Sequence, residues 1–359
     1  MKHVYIHIPF CKNICSYCDF CKMYHLPKFT ENYFEALRRE VEDSYMDELI
    51  STIYIGGGTP SCLTSEELQK LFSIVSMFKK STDCEFTFEC NPEDITEELI
   101  TYLLKNGVNR LSIGVESFNK ENLEFMERTI DYKDLEDKLN MIRSKGINNI
   151  NLDLIYAIPN ESLDTLKKDV KKLLKLNPEH ISTYSLIIEE DTKLKLSNTS
   201  YIDEELDAKM YDYICGKLKK NYVHYEVSNF AKEGFESKHN MSYWLNEEYY
   251  GFGLGASGYI NGFRYENTHN LNDYLEGKYH KEESLLSNEE VMEYEVILGL
   301  RMLKGINLQT FFDKYGVNIQ DVFPVKPLLR SKELIYKDGY LFINPDKIYV
   351  MNEILLKLV

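Results

Sequence analysis

Tyr5-Ile6-His7-Ile8-Pro9-Phe10-Cys11-Lys12-Asn13-Ile14-Cys15-Ser16-Tyr17-Cys18-Asp19-Phe20-Cys21 stands near the start of the chain. A short β-like run leads straight into three thiols, Cys11, Cys15 and Cys18, at three- and two-residue gaps in one tight loop, so their sulfurs can converge on one centre. A structural zinc site ordinarily takes four ligands in two separated pairs. Three clustered thiolates suit a [4Fe–4S] cube that leaves one iron open to another ligand. Soft thiolates select either metal, so zinc and a plain thiol-rich loop stay open on these residues alone.

Outward from this loop, short β-branched or aromatic runs alternate with longer helical patterns as far as about residue 221. Strands are expected over residues 3–8, 52–55, 85–89, 110–115, 149–155 and 180–186, and helices over 30–49, 65–79, 96–105, 132–145, 163–174 and 203–219. Thr30-Glu31-Asn32 and Thr64-Ser65-Glu66-Glu67 have the look of N-caps with acidic first turns. Six β/α units predict a parallel sheet with right-handed crossovers. Strand phase separates an open, doubly wound sheet from a barrel. Val4, Ile6 and Ile8 alternate with His3, Tyr5 and His7, Phe86 and Phe88 with Glu85, Thr87 and Glu89, and Leu152 and Leu154 with Asn151 and Asp153. Central strands of a doubly wound sheet are apolar on both faces. One greasy and one polar face instead fit an α/β partial (β/α)6 barrel with helices outside and chemistry at the C-terminal strand ends.

Past residue 221 the rhythm changes. Residues 1–221 read as the barrel, 222–283 as an extension, and 284–359 as a small C-terminal helical, winged-helix-like region with a hairpin at Lys337-Asp338-Gly339. A chain of 359 residues with 43% hydrophobic content can bury a substantial core. Eight cysteines, four of them in residues 11–21, do not resemble an extracellular disulfide framework. With no apolar run of membrane-spanning length and a strand at the very start, a cytoplasmic protein without an integral membrane segment is expected. A net charge of −16 argues against a nucleic-acid partner. The lysine-rich residues 167–175 read as the solvated face of an amphipathic helix.

Gly56-Gly57-Gly58-Thr59-Pro60 follows the second strand, where glycines let the backbone approach a ligand closely. Glu89 and Glu116 end the third and fourth strands, Arg128 follows, and Asp153 lies in the polar phase of the fifth. Such groups can bind hydroxyls, an amino group or a carboxylate, or simply pair with one another.

The C-x3-C-x2-C spacing resembles that of the radical S-adenosylmethionine (SAM) enzymes. The stretches Tyr5–Cys11, Gly56–Ser61, Glu89–Pro92, Arg110–Val115, Asp153–Tyr156, Tyr225–Ala231 and His239–Trp244 together resemble the family of oxygen-independent coproporphyrinogen III oxidases, and within it the heme-chaperone branch. The resemblance implies Cys11, Cys15 and Cys18 as cluster ligands, and Tyr5, Tyr17, Gly57, Gly58, Thr59, Glu89, Glu116, Arg128 and Asp153 as SAM contacts. Glu116 stands where that family usually has glutamine, and Ile130 where it often has histidine. The oxidase branch places a fourth cysteine two residues after the third; here Phe20 is there, with Cys21 one further on. His239-Asn240-Met241-Ser242-Tyr243-Trp244 matches the chaperone branch's heme motif, with His239 as axial ligand. On its residues alone it also reads as a loop whose histidine satisfies backbone groups. What the resemblance implies is a heme chaperone with a [4Fe–4S] cluster and SAM, whose partners are heme and acceptor hemoproteins. The alternatives are an oxidase that decarboxylates coproporphyrinogen III to protoporphyrinogen IX, and an enzyme acting on another tetrapyrrole.

Overall fold

The structure is a computed structural model that describes residues 1–190 and 192–359. Six strands, β1 (Lys2–Ile8), β2 (Leu49–Gly57), β3 (Lys79–Cys90), β4 (Arg110–Glu116), β5 (Asn149–Tyr156) and β6 (His180–Ser185), pair in chain order, all parallel. Their apolar phase (Val4, Ile6, Ile53, Ile55, Phe86, Phe88, Leu111, Ile113, Leu152, Ile181) is wholly buried. It forms one core with the apolar faces of helices α1 (Tyr33–Ser44), α2 (Ser65–Val75), α3 (Glu97–Lys105), α4 (Tyr132–Lys145), α5 (Leu163–Leu176) and α6 (Glu204–Leu218). The other phase, including Tyr54, Glu89, Ser112 and Asp153, lines a cavity. The chain is a partial (β/α)6 barrel, and its alternating strands have a dry side and a polar, enclosed side.

Helix boundaries move where local chemistry opposes the simple pattern. Thr30 is no cap: Pro27 starts a separate turn, Pro27–Thr30, and α1 begins only at Tyr33. It ends at Ser44, not near residue 49, because Tyr45 is extended, Asp47 takes φ +54° and Leu49 is already paired in the sheet. Thr64 does cap α2 in a reciprocal box with Glu67. That helix stops at Val75, and Lys79 is already in β3.

Among the described residues the sheet counts twelve strands. After β6 come β8 (Asn229–Ala231) and β7 (Val223–His224), antiparallel. On the other edge β9 (Tyr249–Phe252) runs parallel to β1, followed by antiparallel β10 (Ser257–Ile260), β11 (Phe263–Asn267) and β12 (His280–Leu285). Residues after 221 thus extend both edges of the barrel sheet. Helix α7 (Lys238–Trp244) lies between these two extensions in sequence. The C-terminal region has α8 (Asn288–Gly299), shorter helices and a three-stranded sheet of Ile306–Asn307, Tyr340–Ile343 and Leu334–Lys337. Its hairpin turns on Asp338 and Gly339, both at positive φ, as a two-residue turn requires. Among the described residues no helix is long and apolar enough to cross a membrane.

Candidate cofactor site at the barrel mouth

Strand β1 delivers the chain into the cysteine loop at the C-terminal end of the barrel. The loop is stapled to itself by Met23 N–H donating to Pro9 O at 2.7 Å and His25 N–H to Cys11 O at 2.9 Å. Its far side is held by Ser16, whose Oγ donates to Phe125 O at 2.9 Å. Cys11, Cys15 and Cys18 are free thiols that line one cavity of about 390 Å³, a volume in the range of small-molecule sites. Thr59 Oγ1 donates to Cys11 Sγ at 3.5 Å, and Arg128 Nη1 to Cys15 Sγ at 3.6 Å. Burial raises the Cys11 thiol pKa and pushes that of Cys18 up to about 11, so metal binding has to displace these protons. Among the described residues no trio of His, Cys, Asp or Glu is close enough to hold a single ion. Cys11, Cys15 and Cys18, three thiols lining one cavity, would hold an iron–sulfur cluster with one open iron better than a four-ligand zinc.

The glycine run is packed from below by the protein itself. Gly57 has φ +117°, and a Cβ there would lie 2.6 Å from the His7 ring. A Cβ on Gly58 would lie 2.8 Å from both Cys11 Sγ and Phe10 O. The glycines therefore seat the cysteine loop as well as leaving backbone open to a ligand. Gly57 N–H donates to Glu89 Oε2 at 3.0 Å and Tyr54 OH to Glu89 Oε1 at 2.7 Å. Burial nevertheless pushes the Glu89 pKa up to about 7.

Arg128 ties the mouth together, donating through Nη2 to Asn91 Oδ1 at 3.2 Å and to the Gly114 carbonyl. At the end of β4 a register shift and φ +66° turn Glu116 inward, and a Cβ on Gly114 would sit 2.7 Å from its Oε1. Burial pushes the Glu116 pKa up to about 7 against the pull of Arg128. In its protonated form Glu116 presents an O–H donor where a glutamine would present N–H. Asp153 accepts from Asn151 Nδ2 at 2.7 Å, and burial raises its pKa. Ile130 packs half-buried against the apolar core, an ordinary place for its side chain.

Of the residues expected at SAM, Tyr17, Gly57, Gly58, Thr59, Glu89, Glu116, Arg128 and Asp153 share the cavity with the three cysteines. Tyr5 is not in its lining; its OH lies 2.9 Å from His7 Nδ1. Tyr54, Asn91, Arg110, Ser112, Asn151 and Ser182 also line it. None of these is among the site residues expected from the sequence; all except Asn91 lie on barrel strands, where the polar phase of the alternation is a signal that could have found them.

His239 sits elsewhere. It is 1% exposed in α7, with Nδ1 2.6 Å from Thr52 Oγ1 and Nε2 2.8 Å from Tyr243 OH. Thr52 lies near the start of β2, so α7 closes the end of the barrel opposite the cysteine loop. Glu85 on β3 holds the helix start, accepting from Lys238 N at 3.2 Å and His239 N at 3.0 Å. Tyr243 packs edge-on to His239 and Tyr249. Burial lowers the His239 pKa, keeping the ring neutral.

The sequence pattern of the radical SAM superfamily matches residues 5–173, and that of the HemN C-terminal domain matches residues 286–349. A heme chaperone HemW of Lactococcus lactis subsp. lactis is 40% identical over 354 residues, covering 96% of this chain and 93% of the relative. One of Bacillus subtilis is 39% identical over 352 residues, covering 94% and 93%. The chain belongs to the HemW family. Coproporphyrinogen III oxidase (HemN) from Escherichia coli, described as a radical SAM enzyme, superposes with TM-score 0.88 at 20% identity, covering 99% of this chain and 89% of that one. At that identity the likeness is one of fold. In this HemW-family chain Phe20 is 62% exposed and contributes to the cavity rim. Cys21 is turned away from the cavity: a Cβ on Gly255 would lie 2.5 Å from its Cβ, and its carbonyl is 2.7 Å from His7 Nε2.

Proposed function

We propose that this protein is a heme chaperone that binds heme, passes it to acceptor hemoproteins, and carries a [4Fe–4S] cluster and SAM at the barrel mouth. The observation that carries the reading is the make-up of that mouth: three free thiols line it, while Phe20 stands exposed on the rim and Cys21 packs behind the loop. It is supported by near full-length similarity to proteins named heme chaperones. Cys11, Cys15 and Cys18 would hold the cluster, which supplies an electron to SAM when both are bound. The chain's own residues fit that pair. Gly57 to Thr59 present backbone, Glu89 and Asp153 accept hydrogen bonds from amino and hydroxyl groups, and Arg128 meets a carboxylate beside Cys15.

Heme ligation by His239 belongs to the same proposal and has a structural condition. Both ring nitrogens are engaged, so the imidazole reaches iron only after leaving Thr52 of β2, which frees α7 from the barrel, or after Tyr243 of the same helix turns aside. The deciding experiment is to purify the protein anaerobically and offer it heme and coproporphyrinogen III separately. Stable heme absorbance with no protoporphyrinogen formed is the expected result. Conversion of coproporphyrinogen III with SAM consumption, and no heme bound, replaces this reading with the oxidase.

A further inference from the structure

We infer that the floor of the barrel cavity is a carboxylate-binding subsite built on Arg110, separate from the cysteine-lined mouth. Arg110 begins β4 with its side chain inside the barrel, and it is the largest of the fully buried side chains, at 2% exposure. Among the described residues its Nε is buried with no partner, and its one side-chain hydrogen bond is a long one, Nη1 to Thr87 Oγ1 at 3.5 Å. Among the described residues it forms no ion pair, yet it lines the cavity. A buried guanidinium left this way is costly unless an anion completes it. The neighbouring acids take their hydrogen bonds from other donors, Glu89 from Tyr54 and Gly57, Asp153 from Asn151, and Glu85 from the start of α7. Against the rise that burial causes, the Arg110 charge lowers the Asp153 pKa through space, but no hydrogen bond joins the two.

Arg128, the cation of the mouth, donates to the Gly114 carbonyl. Four residues along the same strand place the Arg110 backbone roughly 13 Å below that point. Two guanidiniums thus stand at two depths of one cavity, and among the described residues the lower one has only the long bond to Thr87. A planar, forked donor set is matched by a carboxylate. Its two available sources are the methionyl carboxylate of SAM and a heme propionate, and naming these sources rests on the function proposed above.

The test titrates reconstituted full-length protein, wild type, Arg110→Gln and Arg110→Lys, with SAM, 5′-methylthioadenosine, heme and heme dimethyl ester. The ligand whose carboxylate reaches the floor loses about 10- to 100-fold in affinity for Arg110→Gln and recovers part of it in Arg110→Lys. Its carboxylate-free counterpart binds all three proteins equally. Loss confined to SAM assigns the methionyl group, and loss confined to heme assigns a propionate. Should Arg110→Gln fail to fold, the same comparison with Arg110→Lys reads a loss of about 3- to 10-fold. The subsite is overturned if SAM and heme both bind the variants as tightly as wild type, or if the carboxylate-free probes weaken as much. If wild type binds no heme, the chaperone reading fails while the SAM arm still decides the subsite.

Discussion

Cys18 and Cys21 are three residues apart, yet the fold treats them as different kinds of residue. Cys18 lines the cavity with Cys11 and Cys15, and Cys21 packs against Gly255. Cys18→Ala leaves two thiolates, too few to hold a cube, and should lose the iron and sulfide of anaerobically reconstituted protein, whereas Cys21→Ala should keep both. Colorimetric iron and sulfide determination checks the pair, and a cluster that depends on Cys21 instead would refute the assignment. Gly58 offers a complementary probe. Its missing Cβ leaves room for Cys11 Sγ and the Phe10 carbonyl at 2.8 Å, and the latter, being backbone, yields little. Gly58→Ala should therefore displace the loop at a cost of about 1–3 kcal/mol, seen as reduced cluster content with unchanged far-UV circular dichroism.

At the scale of elements, α7 is a plug. Ser237 caps it through Asn240 N–H at 3.3 Å, Glu85 takes two further N–H groups at its start, and His239 bonds to Thr52 on β2. Glu85→Ala strips those N–H groups of their acceptor in a buried place and should lower the unfolding free energy by about 2 kcal/mol. The denaturant midpoint measures that loss, and a midpoint equal to wild type would mean that the carboxylate does not hold the helix. His239→Ala bears on function. If the imidazole becomes a heme ligand, heme absorbance shifts or vanishes in the variant while iron and sulfide stay at wild-type levels; identical heme spectra would take His239 out of the heme site. The same element shows why a motif reading and a packing reading coexist. Six consecutive residues provide a histidine, a tyrosine and a tryptophan, and that grouping serves a porphyrin or a barrel floor equally well until burial is known.

For the whole molecule, Glu40 joins the barrel to its extension. From α1 it accepts from Gly253 N–H at 2.8 Å, from the Tyr274 hydroxyl and from Asn267 Nδ2, all on segments more than 200 residues away. It is 2% exposed, and burial pushes its pKa up to about 7, with those three donors only partly offsetting the shift. Because the folded state holds this proton more tightly than the unfolded chain, its contribution to stability is complete below the ordinary glutamate value and is lost as pH rises through about 7. Anaerobic unfolding at pH 6 and pH 8 should show lower stability at pH 8, with on the order of 1–3 kcal/mol traceable to this carboxyl. Glu40→Gln should flatten the slope. Glu161 and Glu226 are raised to about 7 by burial as well, so some slope should remain in the variant. A variant with the full wild-type slope would show that Glu40 is not the group responsible.

The barrel was readable from residue order because a two-residue alternation, repeated in several of the six strands, gives each strand one apolar and one polar face, and the β/α order makes the sheet parallel, whose faces are normally both covered. The cysteine spacing and the turn at Asp338-Gly339 were equally local, and so they were visible in the sequence. Tertiary structure decided what local order cannot encode. It separated Cys21 from its neighbours through Gly255, turned Glu116 inward by a register shift, and placed His239 under the barrel with both nitrogens occupied. It also left the Arg110 Nε buried inside the barrel with no partner among the described residues, a condition that no stretch of sequence reveals. Each of these depends on contacts between segments far apart in the chain. The free energy of burying a charge or an imidazole is set by which distant groups arrive beside it, not by the residues that precede and follow it.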